Sequence, residues 1–366
     1  MGLKCGIVGL PNVGKSTLFS ALTNIQNVAA NYEFATIDPN FGIVDVPDER
    51  LQILADLVKP QRIVPTSIEF VDIAGLVKGA ATENAGRGTE FLKHIREVDA
   101  IVHVVRCFEN ENIVRSSGPV NPVLDKEIIE MELQLKDLES VERRITKIER
   151  AAKAGDAQAK EELSVLLKYK EALSKGINAR AVEATEEEIA YIKPLFLLSM
   201  KPMLYVANVD EAYLHEDNHH VKALRQAVAK ENAKVLRICA ALEAQIAEIT
   251  DKEEKQMFLD EYKIKESGLD QMIKASYELL NLITYFTAGP QEVRAWTIRK
   301  GWKAPQAAGV IHSDFERGFI RAEVIKLADF QKYKSEVACK EAGKVSIEGR
   351  EYVVQDGDIM HFRFNV

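Results

Sequence analysis

The nine residues Gly9-Leu10-Pro11-Asn12-Val13-Gly14-Lys15-Ser16-Thr17 constrain this chain more than any other stretch. They fit G-x-x-x-x-G-K-[ST], follow a β-rich run over residues 4–9, and precede the helically spaced Leu18, Phe19 and Leu22. A loop that leaves a strand and opens a helix turns successive backbone N–H groups toward one point, and the positive end of the helix reinforces them. Such a cradle binds phosphate. Asn12, Val13, Gly14, Lys15, Ser16 and Thr17 are therefore the candidate nucleotide-binding residues. Lys15 is placed to reach the β- and γ-phosphates, and the Ser16 hydroxyl to ligate Mg²⁺.

The rest of the chain supports a fold that carries such a loop. Its 366 residues exceed one core of about 100–200, so two or three domains are expected. Apolar runs at 67–72, 99–108, 202–207 and 235–240 alternate with helical patterns, which predicts an α/β, mostly parallel, doubly wound sheet. Ligands bind such sheets beyond the C-terminal ends of the strands. Between 121 and 193 the pattern changes. Ile128, Met131, Leu135, Leu138, Ile145 and Ile148 recur at helical steps, Ala154-Gly155-Asp156 interrupts, and Leu163, Leu166 and Leu167 resume over 161–173. This reads as two antiparallel helices, a coiled-coil-like arm. Strands return at 282–287, 292–297, 319–325, 351–354 and 358–364, with turn chemistry at 301–310 and at Asp356-Gly357. The expected domains are 1–120 with 196–280 for the nucleotide, 121–195 for the arm, and 281–366 for a compact β-rich tail.

Composition excludes several functions. Apolar residues make up 46% and charged residues 28%, the balance of a globular protein rather than a disordered one. A formal charge of −8 argues against a uniformly basic nucleic-acid coat, so no DNA partner is expected. Residues 285–366 carry 13 Lys and Arg against 11 Asp and Glu, which makes the tail the part better suited to a polyanion such as rRNA. No apolar run approaches the roughly 20 residues of a membrane span. Cys5, Cys107, Cys239 and Cys339 are far apart and without CxxC, as in a reduced cytoplasmic protein. Nothing demands a dimer, and a monomer is expected.

Three further motifs follow the phosphate loop in the order of a nucleotide switch. Thr36, in Phe34-Ala35-Thr36-Ile37-Asp38-Pro39, lies in an aperiodic segment where a threonine completes a Mg²⁺ shell and senses the γ-phosphate. Asp72-Ile73-Ala74-Gly75 ends the run at 67–72; its acid can hold Mg²⁺ through water, and the Gly75 amide can point at the γ-phosphate. Lys15 and Gly75 are the candidate catalytic groups, and Ser16 and Thr36 the candidate metal ligands. Asn208-Val209-Asp210-Glu211 stands where switch proteins carry N-K-x-D, and Cys239-Ala240-Ala241-Leu242 is placed to meet base and ribose.

These motifs, the helical insertion and the β-rich tail together resemble the Obg-like ATPase family, most closely its bacterial branch. The similarity spans the chain, with the most specific stretches at 4–18, 70–79, 285–297 and 356–366. The resemblance implies ATP hydrolysis to ADP and phosphate, Mg²⁺, association with the ribosome (50S subunit or 70S), and a tail of the β-grasp, TGS-like kind. It also implies that Asn208 and the Val209 backbone meet the adenine. The residues themselves speak against guanine: a guanine site accepts N1–H and the 2-amino group on an Asp carboxylate, and here Glu211 is one methylene longer. Loss of that bidentate pair removes about 1–3 kcal/mol of discrimination.

Two departures bear on catalysis. Leu76 follows D-x-x-G where many switch GTPases place a water-orienting glutamine, so intrinsic hydrolysis is expected to be slow. Arg115 occupies the loop position where bacterial relatives offer a histidine; an arginine stabilises charge but is no general base at neutral pH. Gly86-Arg87-Gly88-Thr89 also differs from the family's more usual Gly-Leu-Gly-Asn. A GTPase of the same architecture, and an RNA- or protein-binding scaffold with a structural nucleotide, are the alternatives. The histidines and acids at 215–220 read as a solvated connection. Trp296 and Trp302, near Arg294, Arg299, Lys300 and Lys303, fit either RNA stacking or a half-buried strand.

Overall fold

The computed structural model describes residues 3–29, 41–73, 93–113, 118–231 and 233–365. Thr36, Gly75, Leu76, Arg115 and residues 86–89 lie outside them. The chain divides into two compact units, Met1–Gly42 with Glu69–Met272, and Ile43–Ile68 with Ile273–Val366.

Strands β1 (Lys4–Val8), β2 (Phe41–Asp45), β3 (Arg62–Val64), β4 (Ser67–Asp72), β5 (Ala100–Arg106), β6 (Met203–Asn208) and β7 (Val235–Ile238) precede the tail. One sheet has the order β2-β4-β1-β5-β6-β7. The pairs β1–β4, β1–β5, β5–β6 and β6–β7 are parallel. Every residue of β5 and β6 is buried, as expected of strands covered on both faces. In register, Ile7 meets Asp72, Val8 meets His103, and Arg106 meets Asn208. The phosphate loop, Asp72, Arg106 and Asn208 therefore leave the sheet at one edge, where an α/β sheet binds its ligands.

The insertion is a helical hairpin. Its first helix, Pro122–Lys153, is capped by Asn121, whose side chain accepts from the Leu124 amide, and has Pro122 in its first turn. Gly155, at φ +103°, turns the chain, and Asp156 caps the second helix, Ala157–Ser174. Val141, Ile148, Val165, Leu166, Tyr169 and Leu173 form the seam. Arg144 pairs with Glu162 across it at 2.6 Å. The sequence pattern named the wrong stripe in part: Met131, Leu135 and Leu167 are about half exposed, at 51%, 50% and 50%. The first half of the long helix instead turns Ile129 and Leu133 into the core shared with β5 and β6. Only the distal half packs as a pair of helices.

A buried ionic cluster lies at the root of this hairpin. Lys126 Nζ is 2.6 Å from Glu130 and 2.6 Å from Glu231. Arg180 reaches Glu130 at 2.5 Å and Glu231 at 3.1 Å. Tyr205 and Asn178 each donate to Glu130 at 2.9 Å, and Gln134 donates to Asn178. Each charge is met by several partners, the condition under which buried ions are tolerated.

In the second unit β8 (Leu282–Ala288), β9 (Glu292–Arg299), β10 (Phe319–Ile325), β11 (Ser346–Glu348) and β12 (Ile359–Phe364) join β3 in the order β11-β10-β12-β8-β9-β3. β8–β9 and β10–β12 are antiparallel, whereas β12–β8 and β3–β9 are parallel. Residues 351–354 are not a strand: Val353 makes one isolated bridge to Lys303, and the edge is taken by β11. Residues 301–310 are more than a turn, since Pro305 helps start a helix over Ala304–Ile311.

The expected domain limits need correction here. Residues 43–68, placed by sequence in the nucleotide domain, belong to the second unit. The helix Glu49–Val58 buries Leu51 and Leu54 against Phe286, Val293, Ile325 and Phe330. Arg50 is held by Asp48 and, at 2.7 Å, by Asp356. The first unit also ends at Met272, inside the helix Gly268–Leu279, rather than at 280.

Candidate nucleotide site

The phosphate loop is shaped by backbone conformations that its residues can adopt. Gly14 has φ +91°, and a Cβ there would collide with the Asn208 amide, so glycine is required twice over. A Cβ on Gly9 would lie 2.8 Å from the Val104 carbonyl oxygen, which explains the glycine where the chain leaves β1. Asn12 takes φ +64°, a left-handed position that asparagine tolerates. The Leu18 amide then donates to the Gly14 carbonyl at 3.0 Å and the helix Lys15–Ala29 begins.

Along this loop Val13 and Lys15 are buried, while Asn12, Ser16 and Thr17 are exposed. Val13 anchors the loop in the core and leaves the polar side chains on its open side. Lys15 pairs with Asp72 at the end of β4. The two predicted motifs thus meet: the loop cation rests on the acid of the D-x-x-G run. A lysine held by one carboxylate at a helix N-terminus is a cation poised to exchange its partner for a phosphate. Gly9 and Gly14 let the loop pack closely on β5 and Asn208, and Ser16 and Asp72 supply the hard oxygens that Mg²⁺ takes. The residues present fit a triphosphate with its metal.

Asn208 has a different part from that expected. Its Nδ2 donates to the Val13 carbonyl at 2.9 Å, and its Oδ1 accepts from the Ala240 amide at 3.0 Å. It is a buried tie between the phosphate loop and the start of the helix Ala240–Glu248. Val209 likewise serves the scaffold. Its side chain is 2% exposed in the core, and its amide donates to the Ile238 carbonyl at 2.9 Å. What Val209 offers a base is therefore neither a side-chain face nor an N–H. Glu211 is exposed and opens the turn Glu211–Tyr213. Cys239 is buried beside it; burial pushes its thiol above the usual range, and the Glu211 and Asp210 carboxylates add to this.

Several residues of this edge escaped the motif reading. Arg106, at the end of β5, donates to the carbonyls of Phe108 at 3.2 Å, Ile113 at 3.0 Å and Asn110 at 3.1 Å. It thereby fixes the loop that leads toward Arg115. A charged residue closing an otherwise apolar buried run was its signal. Asn218 donates to the Cys107 carbonyl at 2.7 Å and caps the helix His219–Val228. The 215–220 segment is not merely solvated: Asp217 binds Arg225 and Arg237, and His220 meets Glu109 at 2.7 Å. Trp296 is packed, with Arg294 4.0 Å over its ring and its indole N–H donating to Thr287 at 2.9 Å. Trp302 packs on the second unit's core. Both indoles are half-buried. All four cysteines are buried, and none is in a disulfide. No helix among the described residues is long and apolar enough to cross a membrane.

Comparison with known proteins decides the family. Relatives named ribosome-binding ATPase YchF match over 100% of both chains, at 58% identity in Bacillus subtilis (strain 168) and 55% in Escherichia coli O157:H7. The chain belongs to the YchF family. The solved structure of the Schizosaccharomyces pombe YchF GTPase superposes with a TM-score of 0.90 at 40% identity, covering 99% of this chain and 98% of that one. A family model described as 50S ribosome-binding GTPase matches residues 4–150, and YchF-GTPase_C, a protein of unknown function, matches residues 282–365. The fold is therefore that of a P-loop GTPase domain followed by a YchF C-terminal domain, and the chain is a nucleotide hydrolase. Its relatives carry both ATPase and GTPase in their names, which makes the base the open chemical question.

Proposed function

We propose that the chain binds ATP with Mg²⁺ at the Gly9–Thr17 loop, hydrolyses it slowly to ADP and phosphate, and uses the cycle to change its hold on the ribosome. The observation that carries this reading is the Lys15–Asp72 pair, which joins the glycine-shaped loop to the acid that ends β4. A triphosphate would draw Lys15 from Asp72 onto its β/γ-oxygens, and would free the carboxylate to help hold Mg²⁺. The backbone N–H groups of residues 12–17 would hold the α- and β-phosphates. Ser16, with Thr36, would hold Mg²⁺, which would supply charge neutralisation at the phosphates.

The chemistry is in-line transfer: a water oxygen bonds to the γ-phosphorus, the bond to the β–γ bridging oxygen breaks, ADP leaves, phosphate takes the water's hydroxyl, and the water's other proton passes to solvent. Lys15 and the Gly75 amide would stabilise the charge that gathers on the γ-oxygens. Leu76 offers no group to orient the water, so turnover is slow until a partner adds one. The relatives' names support ribosome binding; in this reading the ribosome is that partner, the 50S subunit or the 70S particle is the target, and the TGS-like tail meets rRNA. Thr36 and Gly75 would change with the γ-phosphate, as switch loops do.

Phosphate release from ATP by the purified full chain, with and without 50S subunits or 70S ribosomes, tests the proposal. Slow release that rises with ribosomes and vanishes in Lys15→Ala is expected. The GTP reading is favoured by the name of the fission yeast structure. Faster release from GTP than from ATP at equal concentrations would select it.

A further inference from the structure

Two histidines that the nucleotide site does not use stand side by side at the start of the helix His219–Val228. Consecutive side chains on a helix ordinarily diverge. Here the rings of His219 and His220 converge, with centroids 3.8 Å apart and planes tilted by 40°. Glu109, from the chain that leaves β5, completes the group, and its Oε1 is 2.7 Å from His220 Nε2. One ligand atom from each of the three residues lies within 4.8 Å of the other two. Glu109 and His219 are exposed and His220 is buried, so the group has a fixed back and a side open to solvent.

The backbone on both sides of the group is already held. Asn218 caps the helix by accepting from the Val221 amide at 2.9 Å, and its Nδ2 donates to the Cys107 carbonyl at 2.7 Å. The helix start is thereby fixed against the end of β5. Arg106 holds the carbonyls of Phe108 and Asn110, the two neighbours of Glu109, at 3.2 Å and 3.1 Å. Arg225, on the same helix, is occupied by Asp217 at 2.6 Å and leaves Glu109 to the histidines. Two imidazole nitrogens and one carboxylate oxygen are the donor set of open, three-ligand Zn²⁺ sites, with bonds of about 2.0–2.2 Å. A tetrahedron of that size has edges of about 3.3 Å. This lies between the 2.7 Å and the 4.8 Å observed, so side-chain adjustment alone closes the three atoms on one ion.

We propose that Glu109, His219 and His220 form a binding site for a divalent cation of the Zn²⁺ class, separate from the Mg²⁺ position at the phosphate loop. Bound there, the ion replaces the Glu109–His220 hydrogen bond with two metal bonds and ties the loop after β5 to the helix His219–Val228. Water takes the remaining position on the exposed side. Mg²⁺ is a poor occupant, because it prefers oxygen ligands to imidazole. None of the three residues belongs to the nucleotide motifs, so the site stands whichever triphosphate the loop takes.

Titration of the full chain with Zn²⁺ against a chromophoric chelator tests the site, with Mg²⁺ in large excess so that the phosphate-loop position does not take Zn²⁺. The parent chain should withhold one Zn²⁺ from the chelator. His219→Ala and Glu109→Gln each remove an exposed ligand and should weaken binding by about tenfold or more, at least what the loss of a supporting partner costs. Neither should lower the thermal midpoint of the metal-free chain, and Glu109→Gln, at a side chain 66% exposed, keeps the test open if His219→Ala folds poorly. His312→Ala, which removes a histidine beside Asp314 in the second unit, should leave binding unchanged. A parent chain that withholds no Zn²⁺ would overturn the proposal. So would Zn²⁺ binding that survives Glu109→Gln and His219→Ala at full strength, or that is lost in folded His312→Ala.

Discussion

The first unit contains two polar clusters built to opposite plans. At the root of the helical hairpin, Lys126 and Glu130 are buried and Arg180 and Glu231 half-buried, and each acid is shared between cations. At the phosphate loop, Lys15 is just as buried but rests on Asp72 at the opening of the site. The first cluster has no bond to spare and is already satisfied without a ligand. The second is a single pair whose two halves are each better matched by another partner, a phosphate for the lysine and a metal-bound water for the acid. Multiplicity of partners marks structure; one exchangeable pair marks function.

Substitutions test this contrast, beginning with the largest effect. Glu130→Ala strands Lys126 and Arg180 without their shared acid, and should cost about 3–5 kcal/mol in urea unfolding. An effect below about 1 kcal/mol would remove the distinction between the clusters. Lys15→Ala should weaken ATP binding or turnover by about 100-fold or more, yet leave the thermal midpoint nearly unchanged. A large fall in that midpoint would mean that the loop pair is structural too.

His103 supplies a pH test of the buried region. It is fully buried in β5, neither ring nitrogen has a hydrogen-bond partner, and burial lowers its pKa to about 4. The unfolded chain has the ordinary value near 6.5, so as pH falls it takes up the proton first. Stability from the neutral form is complete above about pH 6.5 and is lost progressively toward pH 4, with about 2 kcal/mol gone at pH 5. His103→Leu should flatten this part of the stability–pH curve; an unchanged slope would contradict it. The smallest effect is expected at Arg144, whose side chain is 42% exposed opposite Glu162. Arg144→Ala should cost no more than about 1 kcal/mol, because water screens the pair.

How much of this was legible in the sequence depended on how local the physics was. The phosphate loop could be read because Gly14 needs a positive φ and Gly9 sits at a strand end, both properties of the segment itself. β5, β6 and β7 could be read because strands buried on both faces are continuously apolar. The assignment of residues 43–68 could not, since Leu51 and Leu54 find Phe286 and Phe330 only through long-range packing. The same holds for the stripe on the long helix, whose proximal half serves a different core from its distal half. In the site, the pattern singled out Asn208, but what its amide does, bonding Val13 and Ala240, follows from long-range packing.

Isothermal titration of the full chain with ATP and then GTP, each with Mg²⁺, reaches the central claim most directly. The account predicts one site per chain, tighter binding of ATP than of GTP, and no heat from either in Lys15→Ala. Tighter binding of GTP, or a folded parent chain that releases no heat with either triphosphate, would contradict it.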